Sequence, residues 1–122
     1  MAYILVVDAD EATRMVVRTL LEDAGHEVGE AAEGADGLRS MGRRVPDLVI
    51  TELYMAGMEG IEFLRNVHDA WPSEPVLVMS SRARPGASAI LSMAKLLGAT
   101  GLLGKPIVDR ELLEAVGAIL AA

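Results

Sequence analysis

Four polar groupings stand where apolar runs of this 122-residue chain end. Asp8-Ala9-Asp10 follows Tyr3-Ile4-Leu5-Val6-Val7, and Glu52 closes Asp47-Leu48-Val49-Ile50-Thr51. Ser80-Ser81 follows the run from Pro75 to Met79, and Lys105-Pro106 follows the run from Thr100 to Leu103. Gathered in one cleft, carboxylates, a hydroxyl and an ammonium group would suit an anionic phosphoryl group with Mg²⁺. The carboxylates would hold the metal, while the ammonium and the hydroxyl would satisfy phosphoryl oxygens. Taken singly, each has an ordinary structural reading: an Asp before a helix caps it, a Ser after a strand turns the chain, a Lys-Pro ends a strand. Their recurrence at the same end of successive strands argues for a site, or the remnant of one.

The elements that would position these groups alternate regularly. Continuous apolar runs are the mark of strands buried on both faces of a parallel sheet. Five strands are predicted over Tyr3–Val7, Glu27–Ala31, Asp47–Thr51, Pro75–Met79 and Thr100–Leu103. Between them run helical patterns. The first starts after Asp10, whose carboxylate can cap it, carries Met15, Val16, Leu20 and Leu21 as its apolar stripe, and ends at Gly25. Others are predicted over 33–44 (Ala35, Leu38 and Met41 on one side), 59–70 (Ile61, Leu64 and Val67 inward), 86–97 and 109–120. Alternating strands and helices imply a doubly wound α/β sandwich whose crossovers are right-handed. In such a sheet the carboxyl ends of the strands form the ligand-binding crevice.

Composition narrows the classes further. The length suits one domain, residues 1–122. Hydrophobic residues make up 52% of the chain and aromatics only 3%, so the core must be aliphatic. Eighteen acidic against 11 basic residues leave a formal charge of −7, which disfavours nucleic acid as a partner. The absence of cysteine excludes disulfides and thiolate metal sites, and no apolar run has the length of a membrane span. With no basic leader before Tyr3, a cytoplasmic location is expected. His26 and His68 fall on different elements, which favours neither metal binding nor catalysis.

Ile4-Leu5-Val6-Val7-Asp8, Pro46-Asp47-Leu48-Val49-Ile50, Gly57-Met58-Glu59-Gly60, Pro75-Val76-Leu77-Val78-Met79-Ser80 and Gly98-Ala99 through Lys105-Pro106 keep a fixed order and spacing. Over nearly the whole chain, from Ile4 to Leu120, this set resembles the receiver domain of response regulators, of the chemotaxis-regulator type. The resemblance implies a flavodoxin-like (βα)5 fold with sheet order 2-1-3-4-5 and a cis Lys105–Pro106 peptide. It implies a phosphate pocket at Glu52, Ser80 and Lys105. It also implies a Mg²⁺ site formed by Asp8, Glu52 and the backbone carbonyl of Tyr54. Its partners would be a sensor histidine kinase or an output protein.

The pattern breaks at the chemistry. The family's second acid after strand one is replaced by Ala9, and its phosphoacceptor aspartate by Glu52. Leu102 aligns with its switch aromatic, and Ala56 replaces a proline. Mg²⁺ demands near-ideal octahedral geometry, so a lost carboxylate is not absorbed by small adjustments. Glutamate carries its carboxylate about one C–C bond further out, roughly 1.5 Å, beyond the half-ångström tolerance of a preorganised site. The domain is therefore expected to bind Mg²⁺ weakly or not at all and to act as a phosphorylation-independent pseudo-receiver. Glu52 would reach toward Lys105 and Ser80 in place of a phosphoryl group. A conventional Mg²⁺-dependent receiver is the alternative. Asp8-Ala9-Asp10 also resembles the Asp-x-Asp of haloacid-dehalogenase-like phosphotransferases. That family expects Thr or Val where Ala12 stands and needs a later acidic pair.

Lys95 is the only charge between Gly86 and Gly104. The fourth helix carries Ile90, Leu91, Met93, Leu96 and Leu97, more than a one-sided stripe needs. Receivers commonly associate through helix four, strand five and helix five. A homodimer contact at Ile90, Leu91, Leu96 and Leu102 is expected, with neither nucleic acid nor membrane as partner.

Overall fold

The computed structural model describes residues 1–54, 60–81 and 87–122, without the side chains of Ala87, Ile90 and Leu91. The predicted positions Ala56 and Gly57-Met58-Glu59, the start of the third helix at Glu59, that of the fourth at Gly86, and the contacts expected of Ile90 and Leu91 lie outside the described residues. Strands and helices alternate as β1 (Tyr3–Val7), α1 (Glu11–Asp23), β2 (Glu27–Ala31), α2 (Gly34–Arg43), β3 (Leu48–Glu52), α3 (Gly60–Ala70), β4 (Val76–Ser81), α4 (Ala87–Leu96), β5 (Gly101–Lys105) and α5 (Asp109–Ala121). The five strands form one parallel sheet in the order β2-β1-β3-β4-β5. The Lys105–Pro106 peptide is cis, as the resemblance implied.

Alternate residues of the central strands feed two apolar layers. Leu5, Val7, Val49 and Val78 pack with Met41, Phe63, Leu64 and Val67 of α2 and α3. Ile4, Val6, Ile50, Leu77 and Met79 pack with Val17 and Leu21 of α1 and Leu112 and Val116 of α5. The sheet is thus covered on both faces, which is why its strands read as unbroken apolar runs. Asp10 caps α1 through the amide of Ala12, and Gly25 after its end adopts the left-handed conformation, φ 94°. No helix of the described residues is long and apolar enough to cross a membrane.

Two expectations need correction. Met15 and Val16 are 61% and 47% exposed, and the buried stripe of α1 is Val17 and Leu21, with Leu20 packed beside them. Three neighbouring apolar residues, Met15-Val16-Val17, cannot all face inward at about 100° per residue, and the sheet selects Val17. Asp8-Ala9-Asp10 follows β1 as expected, whereas Glu52, Ser80-Ser81 and Lys105 belong to their strands rather than following them. β3 runs through Glu52, β4 through Ser81 and β5 through Lys105. The parallel ladder continues past the apolar run, pairing Glu52 with Met79, Ser80 with Gly104 and Ser81 with Lys105. Glu52, Ser81 and Lys105 therefore hang from hydrogen-bonded strands, the rigid kind of element that a site requires.

Candidate functional site

The carboxyl ends of β1, β3, β4 and β5 enclose a cleft of about 210 Å³ lined by Asp8, Ala9, Asp10, Glu52, Tyr54, Ser81 and Lys105. Its centre is an ammonium between two carboxylates. Lys105 Nζ donates to Asp8 Oδ2 at 2.7 Å and makes an ion pair with Glu52 Oε2. Both carboxylates are nearly sealed from solvent, with Asp8 2% and Glu52 5% exposed. Buried charges persist only when paired and hydrogen-bonded, and here each oxygen is engaged. Asp8 Oδ1 accepts from the Asp10 amide at 2.8 Å, and Glu52 Oε1 accepts from the amides of Leu53 at 2.9 Å and Tyr54 at 3.2 Å.

The electrostatics follow from this packing. Burial alone would pull the Lys105 ammonium toward neutrality. The hydrogen bonds that Lys105 donates to Asp8 and then to Glu52 outweigh it and hold its pKa above the ordinary lysine value. Asp10, exposed at the rim, is held below the usual carboxylate range by the Thr13 hydroxyl and by the amides of α1's first turn. Its side chain is committed to Ala12 and Thr13.

The structure brings Asp8, Glu52 and Lys105 together and treats the hydroxyls differently. Ser80 is 1% exposed, and its Oγ has no hydrogen-bond partner among the described residues. Glu52 thus reaches Lys105, while Ser80 makes no hydrogen bond to it. Ser81, the next residue on the strand, lines the cleft in its place. Tyr54 lends its amide to Glu52 and packs its ring partly against the core. Leu102 is 37% and Leu96 88% exposed.

Sequence reasoning missed Arg14. Its Nη1 donates to the backbone carbonyl of Asp8 at 2.6 Å and its Nε to Glu30 at 3.0 Å. Nothing in the sequence singled it out, because its partners Glu30 and the Asp8 carbonyl meet it only in the fold.

Residues 4–117 match the family model described as the response regulator receiver domain. The protein PilH of Pseudomonas aeruginosa is 31% identical over 123 residues, covering 99% of each chain. The sensory/regulatory protein RpfC of Xanthomonas campestris is 36% identical over 116 residues, 92% of this chain but only 16% of RpfC. Among solved structures, the Vibrio cholerae chemotaxis protein CheY4 superposes with a TM-score of 0.88 at 31% identity, covering 98% of both chains. The order β2-β1-β3-β4-β5, the strand-end cleft and these matches together show that the chain belongs to the response regulator receiver domain family of two-component signalling.

Proposed function

We propose that residues 1–122 form one receiver domain that works in the cytoplasm without being phosphorylated and acts through protein–protein contact. It is a signalling module and not an enzyme. The observation that carries this reading is the pairing of Lys105 with both Glu52 and Asp8. Receivers typically bind Mg²⁺ at the phosphorylation site, and here the donor set does not fit it. Ala9 offers no side-chain oxygen, Asp8 is occupied by Lys105 and the Asp10 amide, and Glu52 by Lys105 and two backbone amides. Among the described residues, no group of three or more His, Cys, Asp or Glu side chains could hold a metal ion. A nucleophile that already serves as the partner of an ammonium, at the end of a longer side chain, is poorly placed for in-line attack.

The Glu52–Lys105 pair instead works as a permanent internal contact that biases the domain toward one of its conformational states. A carboxylate carries about one charge against nearly two for a phosphoryl group, so the bias is weaker than a full phosphoryl contact would give. The partners are a sensor kinase or output protein and, through α4, β5 and α5, a second copy of this chain. The test is incubation with acetyl phosphate and Mg²⁺ followed by intact mass. No phosphoryl adduct is expected. A stable adduct on the parent protein that is absent from Glu52→Ala would overturn the reading.

A further inference from the structure

We propose that Arg14 is the positioning residue of this site: its guanidinium, anchored on Glu30, clamps the backbone carbonyl of Asp8 and so fixes the Asp8 carboxylate against Lys105. Every polar atom of Asp8 then has an assigned partner. Its amide donates to Ala31 of β2 at 3.1 Å, and its carbonyl accepts from Arg14 at 2.6 Å. One carboxylate oxygen takes the Asp10 amide and the other takes Lys105. Of these four, only the carbonyl contact comes from a side chain whose own anchor lies outside the site.

That anchor is a chain of ion pairs. Arg14 Nε meets Glu30 Oε1 at 3.0 Å, Arg18 Nη1 meets Glu30 Oε2 at 2.7 Å, and Arg18 Nε meets Glu22 at 3.1 Å. Burial is graded along it. The Arg14 side chain is 15% exposed and that of Glu30 28%, whereas Arg18 and Glu22 stand at 43% and 46%. Exposed pairs contribute little, so the outer Arg18–Glu22 contact is expendable. The inner one is different. A planar guanidinium spends one edge on Glu30 and another on Asp8, which holds it in a single orientation and presents a charged donor to a neutral carbonyl. Register links the two ends, since Glu30 pairs with Val6 on β1, two residues before Asp8. With Ala9 supplying no polar side chain to the β1–α1 turn, the turn is fixed from outside by Arg14.

The chain has only two lysines, Lys95 and Lys105, so selective ¹³Cε labelling of lysine gives two NMR signals to compare at neutral pH. The Lys105 signal reports the ammonium held between Asp8 and Glu52. In Arg14→Met its chemical shift is expected to change, as the Asp8 contact loosens, while the Lys95 signal stays in place. Glu30→Gln, which keeps the guanidinium but weakens its anchor, is expected to shift the Lys105 signal the same way by less. A general loss of stability would not single out one lysine of a folded protein. A folded Arg14→Met with Lys105 unmoved overturns the proposal. If that variant does not fold, Glu30→Gln decides by the same criterion. The inference rests on the phosphorylation-independent reading yet fails separately from it. A phosphoryl adduct sinks that reading and leaves the clamp, while an unmoved Lys105 sinks the clamp alone.

Discussion

Lys105 Nζ lies 2.7 Å from Asp8 Oδ2 across 97 residues of chain, and the same ammonium is the counter-charge of Glu52. One cation therefore balances two buried anions, and removing it leaves both uncompensated. Lys105→Met is expected to destabilise the fold by about 3 kcal/mol, the lower end for a broken buried pair because Lys105 keeps some exposure. The pKa of Lys105 is raised, so its contribution is complete below the unfolded value of 10.5 and is lost only as pH rises through the higher folded value. Urea unfolding at neutral pH reads the full effect. Adding Glu52→Gln to Lys105→Met should recover part of the loss, and strictly additive losses would contradict a shared cation.

Gly60 joins β3 to the helix behind the site under a tight constraint. Its amide donates to the Leu53 carbonyl at 2.8 Å. A Cβ there would stand 2.3 Å from Leu53 Cα and 2.6 Å from the Glu52 carbonyl oxygen. Both neighbours are backbone and cannot rotate away, so the strand end must move. Gly60→Ala is expected to cost about 3 kcal/mol, at the upper end for overpacking. It should also shift the amide resonances of Leu53 and Tyr54, which hold the Glu52 carboxylate. Unchanged amide shifts in a folded variant would refute the coupling.

The residues at the centre of the cleft were legible because their code is short-range. Asp8, Glu52 and Lys105 each end an aliphatic run, and parallel topology carries such ends to one crevice whatever the intervening sequence. The limits of β1 and β2 were legible, but those of β3, β4 and β5 were not. Glu52, Ser81 and Lys105 are polar, and their membership of the ladder depends on partners such as Met79, which a hydropathy pattern does not name. Val17 is absent from the predicted stripe of α1 because its neighbours Met15 and Val16 are equally apolar. Arg14 was invisible for another reason. An arginine on an amphipathic helix looks like a solvated charge until the positions of Glu30 and the Asp8 carbonyl are known.

The face of α4 and β5 carries apolar side chains that the core does not use. Leu96 is 88% exposed, Met93 49% and Leu102 37%, while Ala94 between them is sealed. One face of α4 thus packs on the sheet and the other meets solvent, where large apolar groups mark interaction surfaces. The parent protein is expected to sediment as a dimer at high concentration and Leu96→Asp as a monomer. A parent that stays monomeric throughout would rule out homodimerisation.

At the opposite end of the sheet, Glu74 gives the protein a pH response near neutrality. It lines a cavity of about 890 Å³ with Asp47, His26 and His68, and its Oε2 is buried without a hydrogen-bond partner among the described residues. Burial, and then the charge of Asp47, pushes its pKa up from 4.5 to about 7. The folded state therefore holds the proton more tightly than the unfolded chain does. Its contribution to stability is full below 4.5 and is lost as pH rises to and through about 7. Glu74→Gln cannot ionise and should gain stability relative to the parent across that window. The two proteins differ only at residue 74, so the difference between the two urea midpoints isolates Glu74. Its expected form is a gap that widens with pH and levels off above about 7, and parallel profiles would show that Glu74 ionises freely in the folded protein.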